Sequence, residues 1–326
     1  NGGNDSMDTA HKVAQLAAQG GLDLVAVGVP KTIDNDVGGD VTAPDEVKLI
    51  DHTPGYGSVA RYWALTVQNA NEENAGSCPA DPVLVLQAMG RKIGFIPAAA
   101  RLADPRHEMP LLIAMTESGL SLPDLADAVA DVVRQRSRCL LVISEGFPVG
   151  ELGETKDAFG HTVFSASKMT VEGIVVNYLN ERGLPAKGAA RGNVPGTDQR
   201  HNMIYASTVD LEEAYKVGQK AAQIAAQEGS GYMSTILRDP GPIYSVRYDK
   251  VPLELVANSE RTFPEAWIAA NRLDVTEAFV GYARPLIGDG WPAIPLVDGR
   301  QRFSRLEPIF AEKKLPAYVP QAARQG

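Results

Sequence analysis

Short apolar runs alternate along this chain with longer stretches whose apolar residues recur every three or four positions. Such alternation predicts buried strands separated by amphipathic helices. Residues 21–28 (GLDLVAVG), 83–87 (VLVLQ), 111–115 (LLIAM) and 138–143 (RCLLVI) read as strands, and so do 233–237 and 243–251. Helices are predicted over 7–19, 59–71, 97–103, 122–135, 169–182 and 210–228. The first has an apolar face of Ala10, Val13, Leu16 and Ala17, the fourth one of Leu125, Val129 and Val133. The last places Ala214, Val217, Ala221, Ile224 and Ala225 together. Strand following helix following strand implies mainly parallel sheets in a doubly wound α/β architecture. Asp5 or Ser6 is placed to cap the first helix and Ser58 the second. Residues 72–82 read as a polar loop, 157–161 open another, and the Pro-, Arg- and Lys-rich tail after Gly288 reads as surface loops.

The chemistry concentrates where strands end, because ligands of open α/β sheets bind outside the carboxyl ends of strands. The first strand runs into Val29-Pro30-Lys31-Thr32-Ile33-Asp34-Asn35-Asp36-Val37-Gly38-Gly39. One carboxylate there can act as general base on a hydroxyl, a second can hold Mg²⁺, and an ammonium can stabilise phosphoryl charge. The same spacing also suits a solvated polar turn. Met89-Gly90-Arg91 follows the second strand and Glu145 the fourth. Gly196-Thr197-Asp198-Gln199-Arg200 precedes the last helix, and Gly2-Gly3-Asn4-Asp5-Ser6 precedes the first. Small residues before a helix let backbone N–H groups approach phosphate. Taken singly, each segment is equally an ordinary turn, a helix cap or a surface arginine.

Charge changes the picture in one respect. A net charge of −9 argues against a nucleic-acid partner. An anionic substrate must then be met by a local cluster of Arg and Lys. The 326 residues, 44% hydrophobic, suffice for two α/β domains. Cys78 and Cys139 match no metal spacing and read as reduced thiols of a cytoplasmic protein. The five histidines form no metal pattern, and neither a membrane-spanning apolar run nor a secretory signal pattern is visible.

The string Pro30-Lys31-Thr32-Ile33-Asp34-Asn35-Asp36 resembles the catalytic loop of the phosphofructokinase family. Further family-like segments follow in the same order: Thr53-Pro54-Gly55-Tyr56-Gly57-Ser58, then Met89-Gly90-Arg91, then 189–200, then 252–288. The resemblance spans about residues 1 to 290. It implies a phosphofructokinase-like fold of two interleaved doubly wound domains. Residues 1–57 with about 198–255 would face the phosphoryl donor, and 58–197 with about 256–326 the sugar phosphate. The family carries about a hundred further residues before this point, so the chain is expected to lack the first half of its first domain.

The implied activity is transfer of a phosphoryl group from pyrophosphate to the 1-hydroxyl of fructose 6-phosphate, with Mg²⁺. ATP-using members have glycine after the proline of the loop and pyrophosphate-using members lysine; position 31 is lysine. Asp5 matches an aspartate that occupies the space of the nucleotide's α-phosphate and repels ATP. By the same resemblance Asp34 is the base and Lys31 stabilises the transferring group. Thr32, Met89, Gly90, Arg91, Glu145 and Arg200 hold the sugar phosphate, and Arg191 reaches a neighbouring subunit. Asp36 and Asn4 lie near Mg²⁺. A homodimer or homotetramer is implied because the family shares sites between subunits. Three positions depart from the family pattern. Asn4 stands where an aspartate ligand is usual, Pro82 where a neighbour's arginine lies, and Thr197 where bacterial relatives have histidine. These losses of charge keep open a weakly catalytic regulatory subunit, and the fold alone keeps open an ATP-dependent sugar-phosphate kinase.

Overall fold

The computed structural model describes residues 1–44, 46–150, 155–156, 162–163, 169–257, 259, 261–310, 312, 317 and 319. The chain divides into a large compact unit, Asn1–Pro292, and a small one, Ala293–Gly326. In order, the first unit carries α1 (Asn4–Gln19), β1 (Val27–Gly28), α2 (Tyr56–Ser77), β2 (Val83–Ala88), α3 (Phe95–Ala98), β3 (Leu111–Ala114), α4 (Leu122–Arg136) and β4 (Cys139–Ser144). There follow β5 (Thr155–Lys156), β6 (Thr162–Val163), α5 (Val171–Arg182), β7 (Ala190–Asn193), α6 (Asp198–His201) and α7 (Thr208–Gln227). The unit closes with β8 (Tyr232–Arg238), β9 (Val246–Pro252), α8 (Leu253–Val256) and α9 (Glu277–Ile287). In the small unit, β10 (Leu296–Val297) and β11 (Arg300–Gln301) pair as a hairpin.

Four strands form a parallel sheet in the order β3-β4-β2-β7. Its register aligns Val83 with Cys139 on one side and with Ala190 on the other. Every residue of β3 and β4 is buried. Both faces are covered, which is why these strands read as unbroken apolar runs. Alternate side chains part between two cores. Leu86, Ile113, Leu140 and Val142 join Tyr56, Trp63, Phe95 and Phe279 beneath α2, α3 and α9. Val85, Leu112, Leu141 and Ile143 join Leu125, Val129 and Val133 of α4 and Val171, Val175 and Leu179 of α5. Phe95 meets Tyr56, Phe263 and Trp267 edge-on, with centroids 5.7, 5.0 and 6.2 Å away. Truncating such a side chain to alanine costs about 3–5 kcal/mol.

A second sheet runs β1-β8-β9, with β1 and β8 parallel and β8 and β9 antiparallel. Met7, Val37, Ile50, Met233, Val251 and Leu253 form its core. The α/β class with mainly parallel sheets is therefore as expected.

Several boundaries differ from the expectation. Residues 21–28 supply only a two-residue strand, because β1 pairs with β8 solely at Val27 and Gly28. Leu22 is 63% exposed, and Leu16 on the expected inner face of α1 is 65% exposed. Of the expected face Ala17 is buried and Ala10 packs against the core, whereas Met7 and Ala14 take the places of Val13 and Leu16. The cap of α1 is Gly3, not Asp5 or Ser6. Ser58 likewise lies inside α2, whose cap is Gly55. Asp210, distant in sequence, supplies the capping oxygens, accepting from Gly55 N at 2.8 Å and Ser58 N at 3.0 Å. Helix α2 continues through residues 72–77, which read as loop, because its polar groups find partners: Asn74 Nδ2 donates to Asp81 O at 2.9 Å. Residues 97–103 split between α3 and a 3-10 helix, Ala99–Ala103. The strand expected from 243 begins at Val246, the helix expected from 169 begins at Val171 after its cap Thr170, and Ala214 is exposed. The loop expected at 157–161 lies outside the described residues.

Candidate active site

Two sets of strand ends supply the candidate residues. At the end of β1 the chain is irregular and is held by its neighbours. Gly2 lies alongside Pro30, with Gly2 N donating to Val29 O at 3.1 Å and Lys31 N to Gly2 O at 2.9 Å. This pairing brings Asn4 and Asp5, the first residues of α1, beside the loop. Asn4 Nδ2 donates to Asp36 O at 3.2 Å. Thr32 N donates to Pro54 O at 3.2 Å, and Thr53 Oγ1 returns a bond to Thr32 O at 2.9 Å. Thr32 Oγ1 then accepts from Asp34 N at 3.1 Å.

The other set comes from the parallel sheet. Glu145 N donates to Ala88 O at 2.8 Å, tying the end of β4 to that of β2. Ser144 Oγ donates to Gly90 O at 2.8 Å. Gly90 has φ of 102°, a left-handed conformation, and a Cβ there would meet Ile93 O at 2.8 Å. A Cβ on Gly146 would come within 1.9 Å of Arg91 O, so this position also demands glycine. Gln199 joins the loops. Its Oε1 accepts from Met89 N and from Trp63 Nε1, each at 3.0 Å, and its Nε2 donates to Gly196 O at 3.0 Å. That side chain fixes the Met89-Gly90-Arg91 turn against the segment carrying Arg200.

The electrostatics join the two sets. Burial pushes the Asp34 carboxyl up to about 6, Asp36 adds to the rise, and Arg91, Lys31 and Arg200 oppose it. Glu145 is also pushed up to about 6 by burial; Arg91 opposes this and Asp34 adds to it. Burial raises Asp36 as well, against Arg261 and a hydrogen bond from Thr32. Asp34, Asp36, Glu145, Lys31, Arg91 and Arg200 thus form one interacting cluster. The structure brings Asn4, Asp5, Thr32, Met89 and Gly90 to its walls. Arg191 is placed differently: it lies on edge strand β7, its side chain 67% exposed, with Nε 2.9 Å from Asp81 Oδ1.

Two buried oxygens at this site, Asn4 Oδ1 and Asp36 Oδ1, have no hydrogen-bond partner. Uncharged or anionic oxygens left this way suit a hard cation. Among the described residues no group of three or more His, Cys, Asp or Glu is arranged to hold a metal ion by itself. A cation here would therefore take a minority of its ligands from the protein. That fits Mg²⁺, which is commonly bound by one or two side chains plus substrate phosphates and water.

Sequence reasoning missed several supports. Asn35 is fully buried between the two loop aspartates. His52 is buried between Asp51 Oδ2 at 2.9 Å and Glu213 Oε2 at 2.7 Å, which hold its ring protonated up to about 9 despite burial. Asp51 also accepts from Arg238 Nη2 at 3.0 Å. Asn35 lay within a recognised string and His52 just before one, but nothing local marked them as buried. The partners Glu213 and Arg238 carry no local signal.

The phosphofructokinase family model matches residues 1–225. The chain belongs to the phosphofructokinase family. A pyrophosphate–fructose 6-phosphate 1-phosphotransferase of Methylococcus capsulatus is 34% identical, over 97% of this chain and 73% of that protein. A sulfofructose kinase of Alkalicoccus urumqiensis is 30% identical, over 82% of this chain and 66% of its own length. The crystal structure of a pyrophosphate-dependent phosphofructokinase from Nitrosospira multiformis superposes with a TM-score of 0.82 at 32% identity, covering 98% of this chain and 74% of that one. The phosphofructokinase fold expected from the loop motif is thus the fold observed.

Proposed function

We propose that this phosphofructokinase transfers a phosphoryl group from pyrophosphate to the 1-hydroxyl of fructose 6-phosphate, giving fructose 1,6-bisphosphate and orthophosphate. The observation that carries this reading is a half-buried carboxylate, Asp34, within electrostatic reach of Lys31, Arg91 and Arg200. A base with a pKa near 6 is ionised at neutral pH yet basic enough to take a hydroxyl proton as the bond forms. The names of the most similar relatives point to the same donor and acceptor.

Asp34 accepts the proton of the sugar's 1-hydroxyl. That oxygen bonds to the terminal phosphorus of pyrophosphate, and the bridging P–O bond breaks to release orthophosphate. Lys31 lies against the transferring group, where positive charge and alignment do most of the work. Asp5 disfavours a nucleotide through like charge. Arg91, Arg200, Glu145, Thr32, Met89 and Gly90 hold the sugar phosphate, with paired guanidinium groups suited to phosphate oxygens. Asn4 Oδ1 and Asp36 Oδ1 would hold Mg²⁺, whose chemistry there is to neutralise diphosphate charge. Arg191, exposed on β7, is available to a neighbouring subunit of a homodimer or homotetramer. A cytoplasmic role in glycolysis, reversible because pyrophosphate is the donor, is consistent with this chemistry. No helix of the described residues is long and apolar enough to cross a membrane.

One relative is named for sulfofructose, and Thr197 offers less charge than a histidine would. The group at C6 of the acceptor is therefore tested with the donor. A coupled assay compares pyrophosphate with ATP, and fructose 6-phosphate with sulfofructose. Turnover with pyrophosphate and fructose 6-phosphate is expected. Turnover with ATP alone would overturn the roles of Lys31 and Asp5, and turnover with sulfofructose alone would overturn the acceptor.

A further inference from the structure

Asn35 sits between Asp34 and Asp36, and its side chain is fully buried while its backbone is left-handed, with φ of 57°. A non-glycine residue held this way needs support from its surroundings. Its Oδ1 accepts from Thr53 N at 3.0 Å and from Arg261 Nη1 at 3.1 Å. Its Nδ2 donates to Tyr282 OH at 2.8 Å. The middle residue of the loop is thus fixed on both sides of its amide.

Arg261 does more than meet Asn35. Its backbone N donates to Asp36 O at 3.3 Å and its Nε to Gly39 O at 3.0 Å. Nη1 also reaches Asp51 O at 2.9 Å, and Nη2 reaches Ile50 O at 2.7 Å. One guanidinium, 4% exposed, therefore joins the start of the loop, its glycine exit and the chain that returns at 50–51. Among the described residues of loop 30–55 there is almost no regular structure, so no sheet or helix performs this task. A lysine could not replace it, because three donors on a flexible stem cannot match a planar fork aimed at four separate oxygens.

We propose that Arg261 is a positioning residue for the phosphoryl transfer, setting the placement of Asp34 and Asp36 through Asn35 without touching substrate. This rests on the proposed function. A loop that keeps its fold but loses this brace leaves the base displaced by a fraction of an ångström to an ångström. Such a displacement lowers turnover far more than it weakens substrate binding.

The test uses Arg261→Lys, Arg261→Ala and Asn35→Gly, the last because glycine keeps the left-handed backbone while deleting the amide. Melting curves establish that each is folded. The expected result for Arg261→Lys is a fall in kcat of about 100-fold with KM for fructose 6-phosphate changed by no more than about threefold. Added guanidinium ion, kept at millimolar concentration, should restore part of the kcat of Arg261→Ala. The double variant of Arg261→Lys with Asn35→Gly should lose less than the product of the two separate losses, since both remove the Arg261–Asn35 contact. A kcat within about threefold of the wild type in folded Arg261→Lys would overturn the proposal, as would full additivity. Amide exchange of residues 33–39 is a readout independent of turnover. If the wild-type protein does not use pyrophosphate, the proposed function fails. Faster exchange confined to this loop in Arg261→Lys would still support the brace, and unchanged exchange would remove it.

Discussion

The two halves of the site are built in opposite ways. On the proposed sugar side, Met89-Gly90-Arg91 and Glu145 leave adjacent parallel strands whose register is fixed along their length. Backbone ladders place these residues, and one side chain, Gln199, ties the turn to its neighbour. On the proposed donor side, β1 is two residues long, and the described residues of 29–55 run almost without ladder. Arg261 and Tyr282 hold that chain at Asn35 by side-chain bonds across more than 200 positions of sequence. A sheet end is tolerant because many bonds share the task. A braced loop depends on each brace, so the donor side should be the easier half to disable.

The largest expected effect is on the base itself. Asp34→Asn should lower kcat by about 10³-fold, within the range for a lost general base. Its stability should not suffer. Burial raises the folded carboxyl above its unfolded value. A raised acid costs stability as pH rises from about 4 to about 6, so the amide should melt no lower than the wild type at neutral pH. A melting temperature several degrees below the wild type would contradict this sign.

Gln199→Ala should show what happens when the Met89-Gly90-Arg91 turn loses its tie to the segment carrying Arg200. Met89 N and the buried Trp63 Nε1 would both lose an acceptor. A cost of about 1–3 kcal/mol is expected, read by denaturant unfolding. KM for fructose 6-phosphate should rise while kcat falls less than in Arg261→Lys. Equal kcat losses would erase the contrast between the halves.

The His52 network sharpens the comparison through pH. His52 is held protonated up to about 9 by Asp51 and Glu213, and Asp51 is held down to about 2 chiefly by His52, against its burial. The raised histidine contributes stability that is complete below about 6.5 and is lost as pH rises through 9. The depressed Asp51 contributes stability that is present above about 4 and is lost as pH falls through 2. Melting temperature should therefore fall between pH 6.5 and 9, and His52→Gln should flatten that fall. The smallest effect belongs to Arg191→Ala, since an exposed pair with Asp81 is worth about 0–1 kcal/mol.

The contrast also explains what the sequence made legible. Strands 83–87, 111–115 and 138–143 were readable because burial on both faces demands continuous apolar runs, and α4 because Leu125, Val129 and Val133 repeat at helical spacing. Lys31, Asp34 and Asp36 were readable as a string. Asp210 as the cap of α2, Arg261 beneath Asn35 and Gln199 under Met89 were not, because each acts on a residue far away in sequence. Residues 21–26 misled because an apolar run predicts a buried strand only where a neighbour covers it. Leu22 and Leu24 are exposed instead. Against the alternative reading of Asp34 and Asp36 as a solvated turn stand their partial burial and the arginine near each, Arg91 for Asp34 and Arg261 for Asp36.

The most direct test of the account is the pH dependence of kcat/KM for transfer from pyrophosphate to fructose 6-phosphate, in the wild type and in Asp34→Asn. The account predicts an acid limb near pH 6 in the wild type, with activity lost as Asp34 gains its proton. In the variant, activity should fall by about 10³-fold, and any remaining limb should lie lower, because Asp34 is one of the groups that holds Glu145 up. A variant that keeps more than a tenth of the wild-type rate with an unmoved limb would contradict the assignment of Asp34 as the base.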